Sequence, residues 1–257
     1  MSRSIVDEQR VHDACAELRF AEGLRRRSEE ARAESTVREA AGLALLEGAR
    51  VDPELLRSTV RESPILPQQA AGMAVAVGAW KAAWGVFRRL PRLNPGPGGG
   101  ASGPPVPLRQ VLADMQREYG SELARVGIAA AEKVTLPKDP QRWSAVLAAV
   151  EAPGLSALRS ASRAWALLAL EEPFFHGSQL MGVLAAKWIL ASRGVEPTGV
   201  SVLSAHPVAD RAGYERALGA IRAGDWHLWE EFFAAAIVKG AEVGQLVARH
   251  VQAGKPG

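Results

Sequence analysis

A run of residues that is apolar on nearly every side of a helix, from Leu180 to Leu190, sets the terms for the chain around it. Leu180, Met181, Val183, Leu184, Trp188, Ile189 and Leu190 leave no broad polar face, and no charge falls between Leu180 and Ala186. Such a pattern predicts a helix over about residues 180–193 that is buried on all sides, so that the other segments must wall it in. Gly194 and Pro197 stop it just past Arg193, which puts that end near the surface and the start inside the fold. A helix N-terminus inside a protein directs unpaired N–H groups and the positive end of its dipole at the preceding turn, here Pro173 to Gln179, and favours an anion there.

The walls are expected to be helical too. Ala, Leu, Arg and Glu dominate the 257 residues, and the β-branched and aromatic share is small, which favours an all-α protein on propensity. The net charge is +3, with 31 basic against 28 acidic residues, and the sequence pI is near 9.3. Charges so nearly balanced describe an ordinary solvated surface and not a nucleic-acid groove. Cys15 is the only cysteine, so neither a disulfide framework nor a thiolate metal site is available. The first thirty residues carry charge throughout and no apolar block, and later apolar runs are broken before the roughly 18 residues a membrane span needs. The expectation is a cytoplasmic protein with no membrane partner.

Read in order, Ile5 to Ala33 shows a narrow apolar stripe, Ile5, Val11, Ala14, Leu18, Ala21 and Leu24, of one amphipathic helix. Arg25, Arg26 and Arg27 are answered by Glu29 and Glu30 within helical reach, as on a solvated face; weak nucleic-acid binding through these arginines is the competing reading. A second helix, 34–46, ends at Gly48, and Asp52 caps a third that starts at Pro53. Ser63 to Gln69 reads as a turn. Ala70 to Leu90 reads as an apolar helix with Trp80, Trp84 and Phe87 in a core stripe. Residues 91–107 are Pro/Gly-rich and read as a flexible loop inserted in one body, not as a domain border.

Beyond it, Leu108 to Glu118 and Glu122 to Lys133 read as two helices broken at Gly120, with a turn at 137–140 and a helix from Trp143 to Val150. Leu155 to Leu170 leads to the central turn and is expected to pack Leu158, Trp165, Leu168 and Leu170 beneath the buried helix. Val200 to Leu203 is strand-like. Asp225 is placed to cap a last long helix with Trp226, Trp229 and Phe233 toward the core. His12, His206, His227 and His250 share no metal-ligand spacing, and no metal site is expected.

The central turn and helix resemble the signature of the Fic (Fido) family, HPFx(D/E)GNGRxxR, on a loop leading into a central helix. Pro173, Phe174 and Gly177 fall on the motif's Pro, Phe and first Gly. Glu172 stands in place of the His that acts as general base in AMP transfer, and His176 in place of the carboxylate that holds magnesium. Ser178 replaces the Asn, Gln179 the second Gly, Leu180 the first Arg and Val183 the second. Two further stretches carry the resemblance. Tyr214 to Lys239 is similar to the family's closing helices, and Leu43 to Val51 to its inhibitory helix, with Glu47 and Gly48 matching and Leu43 at the hydroxyl position. The likeness runs from about Glu29 onward and is greatest to the divergent actinobacterial branch with eroded motifs.

It implies a single Fic-like domain over 1–257, a helical bundle around the central helix. Its parts are N-terminal helices within 1–60 that include the inhibitory-like Glu-Gly segment, and a main core over 108–257. It also implies a site short of its chemistry. AMP transfer needs a base, a divalent cation on the phosphates and donors for their charge. A glutamate of ordinary pKa is a weak base, imidazole suits magnesium poorly, and two guanidinium groups are gone. The reading is therefore a degenerate Fic-fold protein without AMP transfer, needing no cofactor and serving a protein partner as a binding or regulatory scaffold. Glu47, whose arginine partner has become Val183, is expected to remain for packing alone. The alternative is a noncanonical nucleotidyl or phosphoryl transferase using ATP and magnesium, with Glu172, His176 and Ser178 on one turn as its acid, imidazole and hydroxyl.

Overall fold

The computed structural model describes residues 8–62, 70–93, 106–134 and 136–254, and these form twelve helices with no strand among them. In chain order they are α1 (Glu8–Arg19), α2 (Gly23–Leu46), α3 (Pro53–Glu62), α4 (Ala71–Phe87), α5 (Leu108–Arg125) and α6 (Ala131–Val134). Then follow α7 (Pro140–Val150), α8 (Ala157–Glu171), α9 (Ser178–Ser192), α10 (Ala205–Ala209), α11 (Arg211–Arg222) and α12 (His227–Gln252).

The buried helix of the sequence is α9, and every residue from Leu180 to Ala191 is buried. Its main wall is α8, with α2, α4 and α5 closing other sides. The approach of α8 is close because position 182 is glycine: a Cβ there would lie 2.7 Å from the Trp165 carbonyl oxygen. Trp165 is fully buried beneath it and anchors an aromatic cluster, 5.8 Å from Trp229 edge to face and 6.1 Å from Phe233. Both indole N–H groups are engaged, Trp165 donating to the Tyr214 hydroxyl at 3.2 Å and Trp229 to Ser162 Oγ at 2.9 Å. Leu158 and Leu168 pack as expected, while Leu170 and Trp226 are only half-buried.

Within α9 the one charged side chain is Lys187, and it is buried. Its ammonium meets the Glu39 carboxylate of α2 at 3.2 Å and donates to the Ser201 carbonyl. Glu39, 0% exposed, also accepts the N–H groups of Leu203 at 2.9 Å and Ser204 at 2.8 Å. This pair joins α2, α9 and the connection that follows α9. Arg32, one helical stretch earlier on α2, donates to the Thr198 carbonyl at 2.6 Å and holds the start of the same connection.

Several boundaries differ from those read in the sequence. The stretch from Ile5 to Ala33 is not one helix: α1 ends at Arg19, and α2 begins at Gly23 and runs without interruption through 34–46, with a local kink at Arg27. Gly23 explains the corner, since a Cβ there would lie 2.1 Å from the Ala248 carbonyl oxygen of α12. Gly120 does not break a helix either. It lies inside α5, where a Cβ would sit 2.4 Å from that of Val134, so the glycine serves close packing and the chain turns later, at 126–130. Val200 to Leu203 forms no strand; Val202 donates to the Gly240 carbonyl at 3.0 Å, and the segment lies buried against α12. Trp80, Trp84 and Phe87 stack on one another at 5.4 and 4.5 Å but are half-buried and not fully interior. The expected turn at 63–69 and most of the loop at 91–107 lie outside the described residues.

Removing Glu39 leaves a buried ammonium without its counter-charge. Glu39→Ala is expected to lower stability by about 3–5 kcal/mol, read as a fall in the urea midpoint at unchanged slope.

Candidate functional site at the start of the central helix

The turn ahead of α9 is built from its backbone outward. Glu172 ends α8 in the left-handed conformation, φ 42°, the sole non-glycine residue with positive φ among those described. Its side chain points to solvent, 3.6 Å from the Lys138 ammonium. Pro173 and Phe174 turn inward. Lys138 donates its N–H to the Pro173 carbonyl at 2.8 Å, Pro137 pairs antiparallel with Phe174, and the Phe174 ring lies 5.1 Å from Trp143. Phe175 turns back out, with the Lys133 ammonium 5.8 Å above its ring.

Gly177 then adopts φ 78°, and a Cβ on it would lie 2.5 Å from the Tyr119 ring. Glycine is needed here twice over, for the dihedral and for the space. Tyr119 is buried, with its hydroxyl pKa raised by burial and then by the nearby Glu47 charge. Ser178 is buried as well. Its Oγ accepts from the Phe174 N–H at 3.1 Å and faces the Phe174 carbonyl at 3.4 Å, so the hydroxyl closes the turn.

What sits on the helix N-terminus is a carboxylate of the chain itself. Glu47 caps the C-terminal end of α2, and its Oε1 accepts from the Leu180 N–H at 3.2 Å. Leu180 is in the first turn of α9, where no carbonyl within the helix can take that hydrogen. The sequence reading of Glu47 as a packing remnant is thus corrected. Its arginine partner is absent, but the helix's own N–H groups and dipole take the negative charge instead. Arg211 donates to the Leu46 carbonyl at 3.3 Å beside it.

Burial raises the Glu47 pKa above the ordinary value of 4.5; the Leu180 and Gly177 N–H groups oppose that rise, Glu172 adds to it, and Arg211 opposes it. Leu43, on the same stretch, is fully buried, and Gly48 takes φ 85° just past the helix, in open space.

The three residues read as a possible acid, imidazole and hydroxyl are placed apart in function. Glu172 faces Lys138 in solvent, Ser178 is engaged inward, and the half-buried His176 is held through its backbone, its carbonyl accepting from Gln116 Nε2 at 3.3 Å. No hydrogen bond joins any two of their side chains among the described residues. Leu180 and Val183 are both 0% exposed, in the core. Gln179 has a buried side-chain oxygen with no partner among the described residues. A triphosphate with magnesium does not fit these donors: its anionic oxygens would meet the Glu47 carboxylate on the N–H groups, and no guanidinium projects from α9. Tyr119, Arg211 and Lys138 were not singled out in the sequence, since nothing local marks residues so distant along the chain as neighbours of the turn.

No protein-family model matches the chain, and no curated protein matches it. Among solved structures it is similar to Fic-1 from C. elegans, with a TM-score of 0.68 at 14% identity over 93% of this chain and 70% of that one. The fold is therefore the all-α Fic fold.

The raised Glu47 pKa has a sign that can be tested. Between 4.5 and the folded-state value the native protein binds more protons than the unfolded chain, so this group's contribution to stability falls as pH rises through that window. Against wild type, Glu47→Gln should gain melting temperature as pH rises from 4.5 to the folded-state pKa and hold a constant difference on either side of that window. A left-handed glutamate is strained, so Glu172→Gly is expected to stabilise by about 0.5–1 kcal/mol, measured by chemical denaturation.

Proposed function

We propose that this chain is a Fic-fold protein that does not transfer AMP and acts as a binding or regulatory scaffold for a protein partner. The observation that carries the reading is the Glu47 carboxylate on the Leu180 N–H. In the family that this chain resembles, a nucleotide's phosphates gather at the turn before the central helix. Here that position already holds a negative charge supplied from within, and an incoming phosphate would meet repulsion where it needs donors.

Removing the plug would not by itself make a nucleotide site. The positions that would grip phosphate, Leu180 and Val183, are core aliphatics, and replacing the two arginines removes the charge-assisted bidentate contacts that hold phosphate oxygens in place. Losing even one such donor costs about 10²-fold or more in rate. Glu172 as a base would also face away from the turn, since its side chain is exposed to solvent with the Lys138 ammonium 3.6 Å away. What the turn retains is shape: two buried residues, a glycine fitted against Tyr119, and the exposed Phe175 presented on a rigid base. A rigid base with an exposed aromatic suits contact with another protein.

Thermal unfolding with ATP and magnesium separates this from the transferase alternative. A ligand at one hundred times its dissociation constant adds about 2.7 kcal/mol. The expected result is no shift for wild type and none for Glu47→Ala. A saturable shift, or labelling of a protein by ATP that Glu172→Ala abolishes, would favour the enzyme.

A further inference from the structure

A cleft of about 300 Å³ opens between the last turns of α2, the start of α3, residues 202–208 and α12. It lies on a different face of α2 from the carboxylate plug. Arg38, Ala41, Gly42 and Leu45 fall on one stripe of that helix, whereas Leu43 and Glu47, four apart, fall on another.

The interior is apolar. Val51, Val202, Val208 and Val243 supply most of it, with the exposed Leu45 beside them. Its floor is sealed where α2 crosses Ser204, since a Cβ on Gly42 would lie 2.3 Å from the Ser204 hydroxyl. The polar groups of that floor are already engaged. Ser204 gives its N–H to Glu39 Oε1 at 2.8 Å and its hydroxyl to the Glu39 carbonyl at 3.3 Å. Val202 and Val208 give theirs to Gly240 at 3.0 Å and Ser204 at 3.1 Å. A ligand entering here finds hydrocarbon walls and no free donor at depth.

The charged residues of the lining are of one sign. They are two guanidinium groups, Arg38 and Arg50, and no carboxylate is among the lining residues. Arg38 is held by Glu34 at 3.0 Å. Arg50 is exposed and has no ion pair among the described residues. The nearest acid in sequence, Asp52, is engaged as the cap of α3, accepting from the Glu54 and Leu55 N–H groups at 2.7 and 3.3 Å.

An apolar cleft bordered by two guanidinium groups and lined by no carboxylate selects a small amphipathic anion. We propose that this cleft binds a monocarboxylate with a short aliphatic body, its head on Arg50 and its chain against the valines and Leu45. A volume at the lower end of the range for ligand pockets limits that body to about six to ten carbons. Each methylene buried adds transfer free energy, and the guanidinium adds a charge-assisted hydrogen bond. The site is independent of the reading given to the α9 turn.

Calorimetric titration of the full chain with straight-chain carboxylates from butanoate to dodecanoate tests this. Affinity is expected to rise roughly fourfold per methylene up to the end of the cleft and then level off. Octylamine, of the same length and opposite charge, should not bind. Arg50→Gln alters an exposed side chain and should weaken octanoate by about tenfold or more, and Ala205→Leu, which fills the cleft, should abolish it. The proposal is overturned by absence of octanoate binding, by equal binding of octylamine, or by octanoate binding that neither variant changes.

Discussion

The structure depends on one helix having no face for water. Because α9 is enclosed from Leu180 to Ala191, its first turn and its single charge must be satisfied by other parts of the chain, and each of those debts fixes a neighbour. Lys187 at mid-helix takes Glu39 from α2, and Glu39 in turn holds the backbone at 203 and 204. The free N–H groups of the first turn take Glu47, two turns further along α2. Thus α2 is bound to α9 at two levels by two carboxylates, eight residues apart on the same helix. The glycine at 182 lets α8 reach the opposite side closely enough to place Trp165 in the middle of the aromatic cluster.

The chemistry of the turn follows from the same constraint. An enclosed helix N-terminus wants negative charge. A site that binds phosphate leaves that want unmet until the ligand arrives, and arginines nearby then share the load. Here the arginine positions are aliphatic and buried, and an internal carboxyl group, that of Glu47, takes the Leu180 N–H instead. The carboxylate is itself under tension, since burial pushes its pKa up while the N–H groups pull it down. Tyr119 and Gly177 complete the closure by ring-on-backbone contact that admits no side chain at 177. The Fic fold is thereby kept with its central turn closed by Glu47, Tyr119 and Ser178.

Much of this could be read in the sequence because it is local. The apolar circumference of α9, the stop at Gly194, the cap at Asp52 and the delivery of the turn by α8 all rest on spacing within a few residues. Both ingredients of the plug were also visible, an N-terminus that favours an anion and a glutamate on a Glu-Gly helix end. Their pairing was not, because 133 residues separate them and no periodicity encodes that distance. The glycine at 120 misled for a related reason. Within a sequence a glycine signals a break, yet at 120 its use is the close approach of Val134, a contact that only the folded chain reveals. The left-handed Glu172 carries no sequence mark at all, since glutamate is not a residue that prefers that conformation.

Amide hydrogen exchange at Leu180 tests the central claim most directly. In the first turn of a helix this N–H has no helical acceptor, so its protection must come from the Glu47 carboxylate. The account predicts that Leu180 exchanges slowly in the wild-type protein and much faster in Glu47→Ala, while Met181, bonded to the Gly177 carbonyl at 2.8 Å, is unchanged. Equal exchange of Leu180 in the two proteins would contradict it.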